Sequence, residues 1–191
     1  MFMMKNRTWK IKTMAKCEIL KPFILSWEGG FANVPGDRGG ATNKGVTIAT
    51  FRSVFGQDKT VEDLKRMTDE QWMLVFRRYF WNKWKADDLK TQAIANLLVD
   101  WVWASGAYGI KIPQSVLGVT IDGLVGPKTI GAINAYPNQK ELFQKLWKAR
   151  RDFFERIGKG TQAKFLKGWL NRNNAIGWDR LICNGGKTIM F

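Results

Sequence analysis

Histidine is absent from this chain of 191 residues. Its absence excludes Ser-His and Cys-His nucleophile pairs, histidine zinc ligands and histidine general bases. Cysteine is scarce as well: Cys17 and Cys183 stand far apart without a metal-type spacing, which argues against a structural zinc. We expect reduced, partly buried thiols in preference to a disulfide. Carboxylates therefore remain as the groups for acid–base chemistry.

Long apolar runs are also missing. A membrane helix needs roughly 18–20 apolar residues, and the nearest candidate, 93–106, is interrupted by Asn96 and Asp100. The basic N-terminus is followed by no apolar segment of the kind that a secretory signal contains. We therefore expect no membrane span and synthesis in the cytoplasm without a signal peptide. An extracellular target would require release through a holin-type pore or a dedicated secretion channel.

Acidic residues are outnumbered: 31 basic and 16 acidic side chains give a net charge of +15. Such a charge favours an anionic partner, which can be a nucleic acid, a membrane surface or an acidic cell-wall polymer. The basic residues are spread along the chain, with no arginine-rich arm, zinc finger or aromatic RNA-binding signature. Charge alone does not choose among these partners.

Helical spacing of apolar residues dominates, and strand-like alternation is scarce, so the predicted fold class is mainly α. The first predicted helix, ended by Gly29, contains Pro22; it is kinked there or its regular part begins near Lys21. Further helices are predicted at 47–55 with Thr47 as cap, from a Thr68–Gln71 capping box, at 92–103, after Pro113 and Pro127 as first-turn residues, at 142–157 and at 162–170.

The segment 29–46 is the exception, because it is long, polar and rich in glycine. Long irregular segments in compact domains tend to be functional, so we expect it to lie at the surface or to line a cleft, with or without a small hairpin. A weak boundary follows near 105–109. The chain then divides into a basic extension (1–14), a region 15–105 and a helical C-terminal region 106–191, the last two sharing a core.

Glu28 is the strongest candidate for a catalytic group. It ends the first apolar stripe, and Asp37 follows nine residues later and Thr42 five after that. Cleavage of a glycosidic bond needs an acid for the leaving oxygen and a second carboxylate for water or the developing cation. Partial burial and the negative end of the helix dipole both disfavour the ionised form of Glu28, which suits a general acid.

Each of these residues also has a simpler interpretation. Glu28 can be a solvated residue before a C-cap glycine, and Asp37 an ordinary turn residue in Pro35-Gly36-Asp37. Thr42 and Asn43 can be groups that fix the loop. Asn96 and Asp100, one helical turn apart, are expected to form a satisfied buried hydrogen-bond site rather than a second active site.

Several sequence blocks resemble glycoside hydrolase family 108. They are EGGF at 28–31, DRGGATNKGVT at 37–47, RRYFW at 77–81, DWVWASG at 100–106 and DGLVGPKT at 122–129. This family comprises lysozyme-like N-acetylmuramidases, found as phage-type endolysins and in some secretion systems. The first two blocks are highly specific, and the last resembles the peptidoglycan-binding segment that follows the catalytic part in this family.

The resemblance implies a lysozyme-like fold with catalytic and peptidoglycan-binding regions, and cleavage of the β-1,4 bond between N-acetylmuramic acid and N-acetylglucosamine. It implies Glu28 as general acid, Asp37 as water-activating base or charge stabiliser and Thr42 as water-positioning group. We expect substrate contacts from Asn43, Tyr79 and Trp81, although core packing is an equal alternative for the two aromatic residues.

The expected partners are peptidoglycan glycan strands and anionic cell-wall polymers, with no nucleic acid, no cofactor, no metal and a monomeric state. If Asp37 activates water, the reaction inverts the anomeric centre and the two carboxyl groups lie roughly 6.5–9.5 Å apart. The alternatives are a lytic transglycosylase acting on the same bond, a non-catalytic cell-wall-binding protein and a basic nucleic-acid-binding protein.

The positive charge generates a first prediction. Hydrolysis of intact cell walls should weaken as NaCl is raised, because salt screens the attraction between the enzyme and anionic wall polymers. Turbidity loss of wall suspensions over a salt series measures this. An activity independent of salt would contradict the role assigned to the charge.

Overall fold

Helices carry most of the chain in a computed structural model, which describes residues 14–34 and 40–191. The α-helices are α1 (Cys17–Trp27), α2 (Ile48–Phe55), α3 (Val61–Lys65), α4 (Asp69–Phe76), α5 (Gln92–Ser105), α6 (Tyr108–Leu117), α7 (Pro127–Ala135), α8 (Gln139–Ile157) and α9 (Ala163–Asn174). A π-helical segment (Arg77–Trp81) continues α4, and 3-10 segments cover Asn82–Trp84, Ala86–Asp88 and Gly160–Gln162. The predicted mainly-α, lysozyme-like fold is confirmed.

Two small antiparallel hairpins complete the described chain. β1 (Thr42–Asn43) pairs with β2 (Val46–Thr47), and β3 (Arg180–Ile182) pairs with β4 (Thr188–Met190). Lys44 and Gly45 form the first turn with φ of 48° and 76°, the left-handed values that a two-residue hairpin turn requires. The glycine-rich segment thus ends in a small hairpin, which was one of the two possibilities that its sequence left open. Its residues 35–39 lie outside the described residues, and so do 1–13 of the expected N-terminal extension.

Helix α5 forms the centre of the fold. Every residue from 93 to 102 is buried, and α6, α8 and the π-helical segment pack around it. A helix that is buried on all sides has no solvated face on which to place a charge. Asp100 is nevertheless in this stretch, so its carboxylate must find its partners inside the protein.

Prolines occupy helix interiors more often than expected. α1 begins at Cys17 and runs through Pro22, so the alternative start near Lys21 is wrong. Pro113 lies inside α6 rather than in its first turn, whereas Pro127 is the first residue of α7, as predicted. Helix α9 continues beyond 170 to Asn174, and this extension places Arg172 on a regular helix.

The C-terminal helices pack directly on the N-terminal ones. Helix α8 contacts α5, α6 and α9, and β3 contacts α1. A single cluster of buried apolar side chains includes Leu20, Leu97, Ile110, Leu142 and Leu181. The two sides of the expected boundary near 105 therefore share one core. None of the helices in the described part of the chain combines the length and apolar character needed to cross a bilayer.

Both cysteines are free thiols and buried. Burial raises the pKa of Cys17 to about 12, with a smaller opposing effect from Arg77. The thiol is therefore uncharged at neutral pH, which suits its place among apolar neighbours.

The N-terminus of α4 offers a test of how the helix framework is stabilised. The Thr68 hydroxyl accepts from the Gln71 amide at 3.2 Å, and the Gln71 side chain accepts from the Thr68 amide at 3.0 Å. Thr68→Ala removes one of these bonds and should lower the free energy of unfolding by about 1 kcal/mol. Urea denaturation measures the change. Thr68→Ser keeps the cap and should stay close to the wild type; equal loss in both variants would contradict the capping role.

Candidate active site

Glu28 lies where α1 ends and the glycine-rich segment begins. Its backbone is extended, with φ −93° and ψ 147°, so the chain leaves the helix axis at this residue. The side chain is 19% exposed. Gly29 and Gly30, which follow, are exposed and have open space around them. The carboxyl group is thus partly buried, as expected, yet reachable from solvent.

Two donors bind the same oxygen of Glu28. Trp103 Nε1, from the last turn of α5, donates to Oε1 at 2.7 Å, and Arg172 Nη1, from α9, donates to Oε1 at 2.8 Å. Among the described residues no hydrogen bond reaches Oε2. That oxygen faces the hairpin turn, since a Cβ built on Gly45 would lie 2.8 Å from it. Within the described part of the chain, one oxygen of the carboxyl group is therefore occupied and the other has no hydrogen-bond partner.

Arg172 connects Glu28 to a buried ion-pair network. Its Nε and Nη2 donate to Asp100 Oδ1 at 3.1 and 2.7 Å, while Arg150 Nη2 donates to Asp100 Oδ2 at 2.6 Å. Asp100 and Arg150 have no exposed side-chain surface, and Arg172 has 13%. Acidic and basic side chains alternate along the series Glu28, Arg172, Asp100, Arg150.

The electrostatic environment keeps the inner members of this network charged. Burial alone would raise the pKa of Asp100, but the guanidiniums of Arg172 and Arg150 outweigh it and hold that pKa below its ordinary value. Burial acts to lower the pKa of Arg172, but the carboxylates of Asp100 and Glu28 outweigh it and raise that pKa. Asp100 is therefore an anion and Arg172 a cation at neutral pH.

The desolvation of its charges limits what this network can contribute to the free energy of folding. Removing charges from water carries a penalty of several kcal/mol per ion, which mutual attraction repays only with complete hydrogen bonding. Arg150 Nε and Nη1 are buried and have no partner among the described residues, although the guanidinium lies 5.3 Å from the ring centroid of Phe154. An incompletely satisfied buried network favours a role in fixing geometry over a role in stabilising the fold.

A cleft of about 310 Å³ opens at Glu28. Its walls combine aromatic rings with the charged network, and the rings of Phe80 and Trp103 lie 4.5 Å apart at their centroids. The lining residues are Glu28, Gly45, Phe80, Trp103, Ala104, Arg150, Phe154, Trp169 and Arg172. Aromatic faces around a single carboxyl group suit a sugar ring, which presents apolar faces and polar edges.

A larger groove of about 730 Å³ lies along the outer face of α8. Its carboxylates, Asp152 and Glu155, are exposed and pair with Lys148 and Arg151 one helical turn away. Exposed pairs of this kind are ordinary helix-surface contacts. The smaller cleft at Glu28 is therefore the better candidate for the reaction, because it alone of the two holds a partly buried carboxyl group.

Of the three predicted loop residues, the structure describes Thr42 and Asn43. Thr42 is half-buried in β1, and its backbone pairs with Ala32. Asn43 is 5% exposed, and its amide donates to the carbonyls of Leu64 and Lys65 at 2.9 and 3.1 Å. Asn43 therefore fixes the loop against α3, the simpler of its two interpretations. Asp37 lies outside the described residues, and its role stays a prediction.

The predicted aromatic contacts fall beside the cleft rather than in it. Trp81 has no exposed surface and donates from Nε1 to Asp87 at 2.8 Å, so its packing in the core leaves no face for a sugar. The Tyr79 hydroxyl lies 2.7 Å from that of Ser53, and its ring does not line the cleft. Phe80, between them in sequence, does line it.

The functional residues that the sequence did not single out are Trp103, Arg150 and Arg172. Asp100 was expected to share a hydrogen-bond site with Asn96, and that pairing is wrong, because Asn96 accepts from Gln92 while Asp100 binds the two arginines. One signal was available. An aspartate within a largely apolar, buried helix requires a cation, which predicts a buried arginine without saying which one.

These features define a class of protein. A lysozyme-like helical fold, with one partly buried glutamate at the mouth of an aromatic cleft, is that of a glycoside hydrolase acting with a carboxylic acid. Residues 21–106 match the family model described as glycosyl hydrolase 108, and residues 108–174 match one described as a predicted peptidoglycan domain.

A solved structure agrees with this match. The protein titled "Structure of Brucella abortus SagA" is similar, with a TM-score of 0.70 and 33% sequence identity over 85% of this chain and 92% of that chain. No curated protein matches the sequence. The chain belongs to glycosyl hydrolase family 108. The predicted enzyme class, a glycoside hydrolase that acts on peptidoglycan, is confirmed.

The turn at Gly45 yields a prediction specific to the site. A Cβ there would lie 2.4 Å from Trp103 and 2.8 Å from Glu28 Oε2, and φ is +76°. Gly45→Ala should therefore displace the acid and lower the hydrolysis rate by about 100-fold, since an error of about 1 Å in a catalytic group has that effect. Gly118→Ala is the matched control, because its φ is also positive, at +67°, and no described atom lies within 4 Å of its Cβ position. Wild-type activity in both variants would contradict the close approach.

Proposed function

We propose that this enzyme hydrolyses the β-1,4 bond between N-acetylmuramic acid and N-acetylglucosamine in peptidoglycan, with Glu28 as general acid. The arrangement of Glu28 supports this most directly. Trp103 and Arg172 hold Oε1, and Oε2 is left toward the cleft without a partner among the described residues. The proton that the reaction needs is therefore best carried on Oε2.

The reaction follows from this geometry. Oε2 gives its proton to the glycosidic oxygen, the bond from that oxygen to C1 of the muramic-acid residue breaks, and the N-acetylglucosamine leaves with a free 4-hydroxyl. Water forms the new bond to C1 and loses a proton to a base, the role proposed for Asp37 from its family resemblance. Proton transfer from a positioned acid contributes typically about 10²–10⁴ in rate.

Wall binding is the second part of the proposal. Residues 108–174 match the predicted peptidoglycan domain, and the net charge of +15 favours anionic wall polymers. We further propose that the enzyme acts as a monomer. It would be made in the cytoplasm and reach the wall through a pore or secretion channel.

A lytic transglycosylase remains a second candidate because of one observation. Among the described residues that line the cleft, Glu28 is the single carboxylate. A transglycosylase needs only one, since the 6-hydroxyl of the muramic acid replaces water as the nucleophile. Its product is an anhydro sugar, one water lighter than the hydrolysis product.

Digestion of purified peptidoglycan by the wild type and by Glu28→Gln tests the proposal. The wild type should release reducing muramic-acid ends, and Glu28→Gln should be slower by about 10²–10⁴ because it has no proton to donate. Mass spectrometry identifies the ends. Proton NMR of the new reducing end at early times should show the α-anomer if the reaction inverts.

Glu18→Gln is the matched control, since Glu18 is an exposed residue of the same helix, and it should retain wild-type activity. Anhydro ends would show that the enzyme is a lytic transglycosylase and not a hydrolase. Undiminished release by Glu28→Gln would exclude Glu28 as the acid.

A further inference from the structure

The catalytic glutamate is held by a residue from the other end of the chain. Glu28 lies within the part that matches glycosyl hydrolase 108, but Arg150 and Arg172 both lie within the part that matches the predicted peptidoglycan domain. Arg172 and Glu28 are 144 residues apart in sequence and 2.8 Å apart in space. The region described by its wall-binding role therefore also contributes to the walls of the reaction cleft.

We propose that Arg172 is a positioning residue for Glu28, itself fixed by Asp100 and Arg150, so that the C-terminal region completes the catalytic site. The inference rests on the proposed function of Glu28 as general acid. It adds that the two matched regions form one catalytic unit, in which the second region sets the orientation of the acid supplied by the first.

The orientation follows from the shape of a guanidinium. Nε and Nη2 of Arg172 both bind Asp100, which fixes the plane of the group, and Nη1 is then directed at Glu28 Oε1. The guanidinium lies 5.9 Å from the ring centroid of Phe23 in α1, which restricts it further. A rigid planar fork with separate donors can bridge two carboxylates in this way, whereas the single ammonium of lysine cannot reproduce it.

Charged side chains from three helices follow one another behind Glu28. Arg172 on α9 is in direct contact, Asp100 on α5 lies behind it, and Arg150 on α8 lies behind Asp100. Lys44 in the hairpin turn is engaged by a carboxylate of α4. Among the described residues Arg172 is thus the one cation that forms an ion pair with Glu28, and Asp100 holds that cation in place. Removal of either Arg172 or Asp100 should therefore misplace the acid.

The experiment measures kcat and KM for Arg172→Met and Asp100→Asn, with soluble peptidoglycan oligomers as substrate. In both variants kcat should fall by about 10–100-fold with KM within about two-fold, because the acid is misplaced but the aromatic walls of the cleft remain. A general distortion of the cleft would raise KM as well.

Three further variants separate position from charge and from folding. Arg172→Lys keeps the cation but not the fork, so kcat should fall in this variant too if the fork positions the acid. Arg66→Met removes the same charge from an exposed pair at the end of α3 and should change neither kcat nor KM. If Asp100→Asn alone does not fold, the double variant Asp100→Asn with Arg150→Met replaces it in the experiment. The double variant removes one negative and one positive charge, so it leaves no excess charge in the core.

The outcomes that overturn the proposal are distinct from those that overturn the function. If Glu28→Gln is inactive while Arg172→Met keeps the kcat of the wild type, the positioning role is wrong and the proposed function stands. A higher KM with unchanged kcat would make Arg172 a substrate contact and would also overturn the proposal. If the wild type releases no reducing muramic-acid ends, the function itself fails, whatever Arg172 does.

Discussion

The active site depends on the burial of one carboxylate. Asp100 lies on a stretch of helix that is buried on every side, and an unpaired charge there would be prohibitively unfavourable, so cations must pack against it. Arg150 and Arg172 meet this requirement from α8 and α9. Once Arg172 is committed to Asp100, its remaining donor has one direction available, and Glu28 lies in that direction. The position of the acid is thus a consequence of charge pairing in the core.

Aromatic packing supports the other side of the acid. The ring of Trp103, which donates to Glu28, rests against Trp72, Phe76 and Phe80, at centroid distances between 4.5 and 5.8 Å. Trp72 also donates to the carbonyl of Lys44, which ties the hairpin turn to α4 at 3.0 Å. The turn that faces Oε2 and the indole that binds Oε1 are therefore held by the same group of aromatic rings. These rings keep the two oxygens of Glu28 in different environments.

Local features of this protein could be predicted from the sequence, and long-range ones could not. The caps at Thr47 and Thr68, the stop after Trp27 and the candidate acid Glu28 all depend on residues close in the chain. Trp81 packs in the core, which is the alternative that its sequence already offered, whereas Phe80 in the same π-helical segment lines the cleft; aromatic composition alone does not separate these two places. Ion pairs such as that of Arg172 leave no pattern in sequence, since any of 31 basic residues could supply the cation.

The order of these residues along the chain has a consequence for biosynthesis. The acid is made early, at residue 28, but its bond to Arg172 spans 144 positions. A nascent chain emerging from the ribosome can form α1 and the hairpin long before α9 exists, and loop closure over such a distance comes late in folding. The geometry at Glu28 is consequently incomplete until α9 has been made. A product truncated before α9 would carry Glu28 without Arg172, the side chain that binds its Oε1.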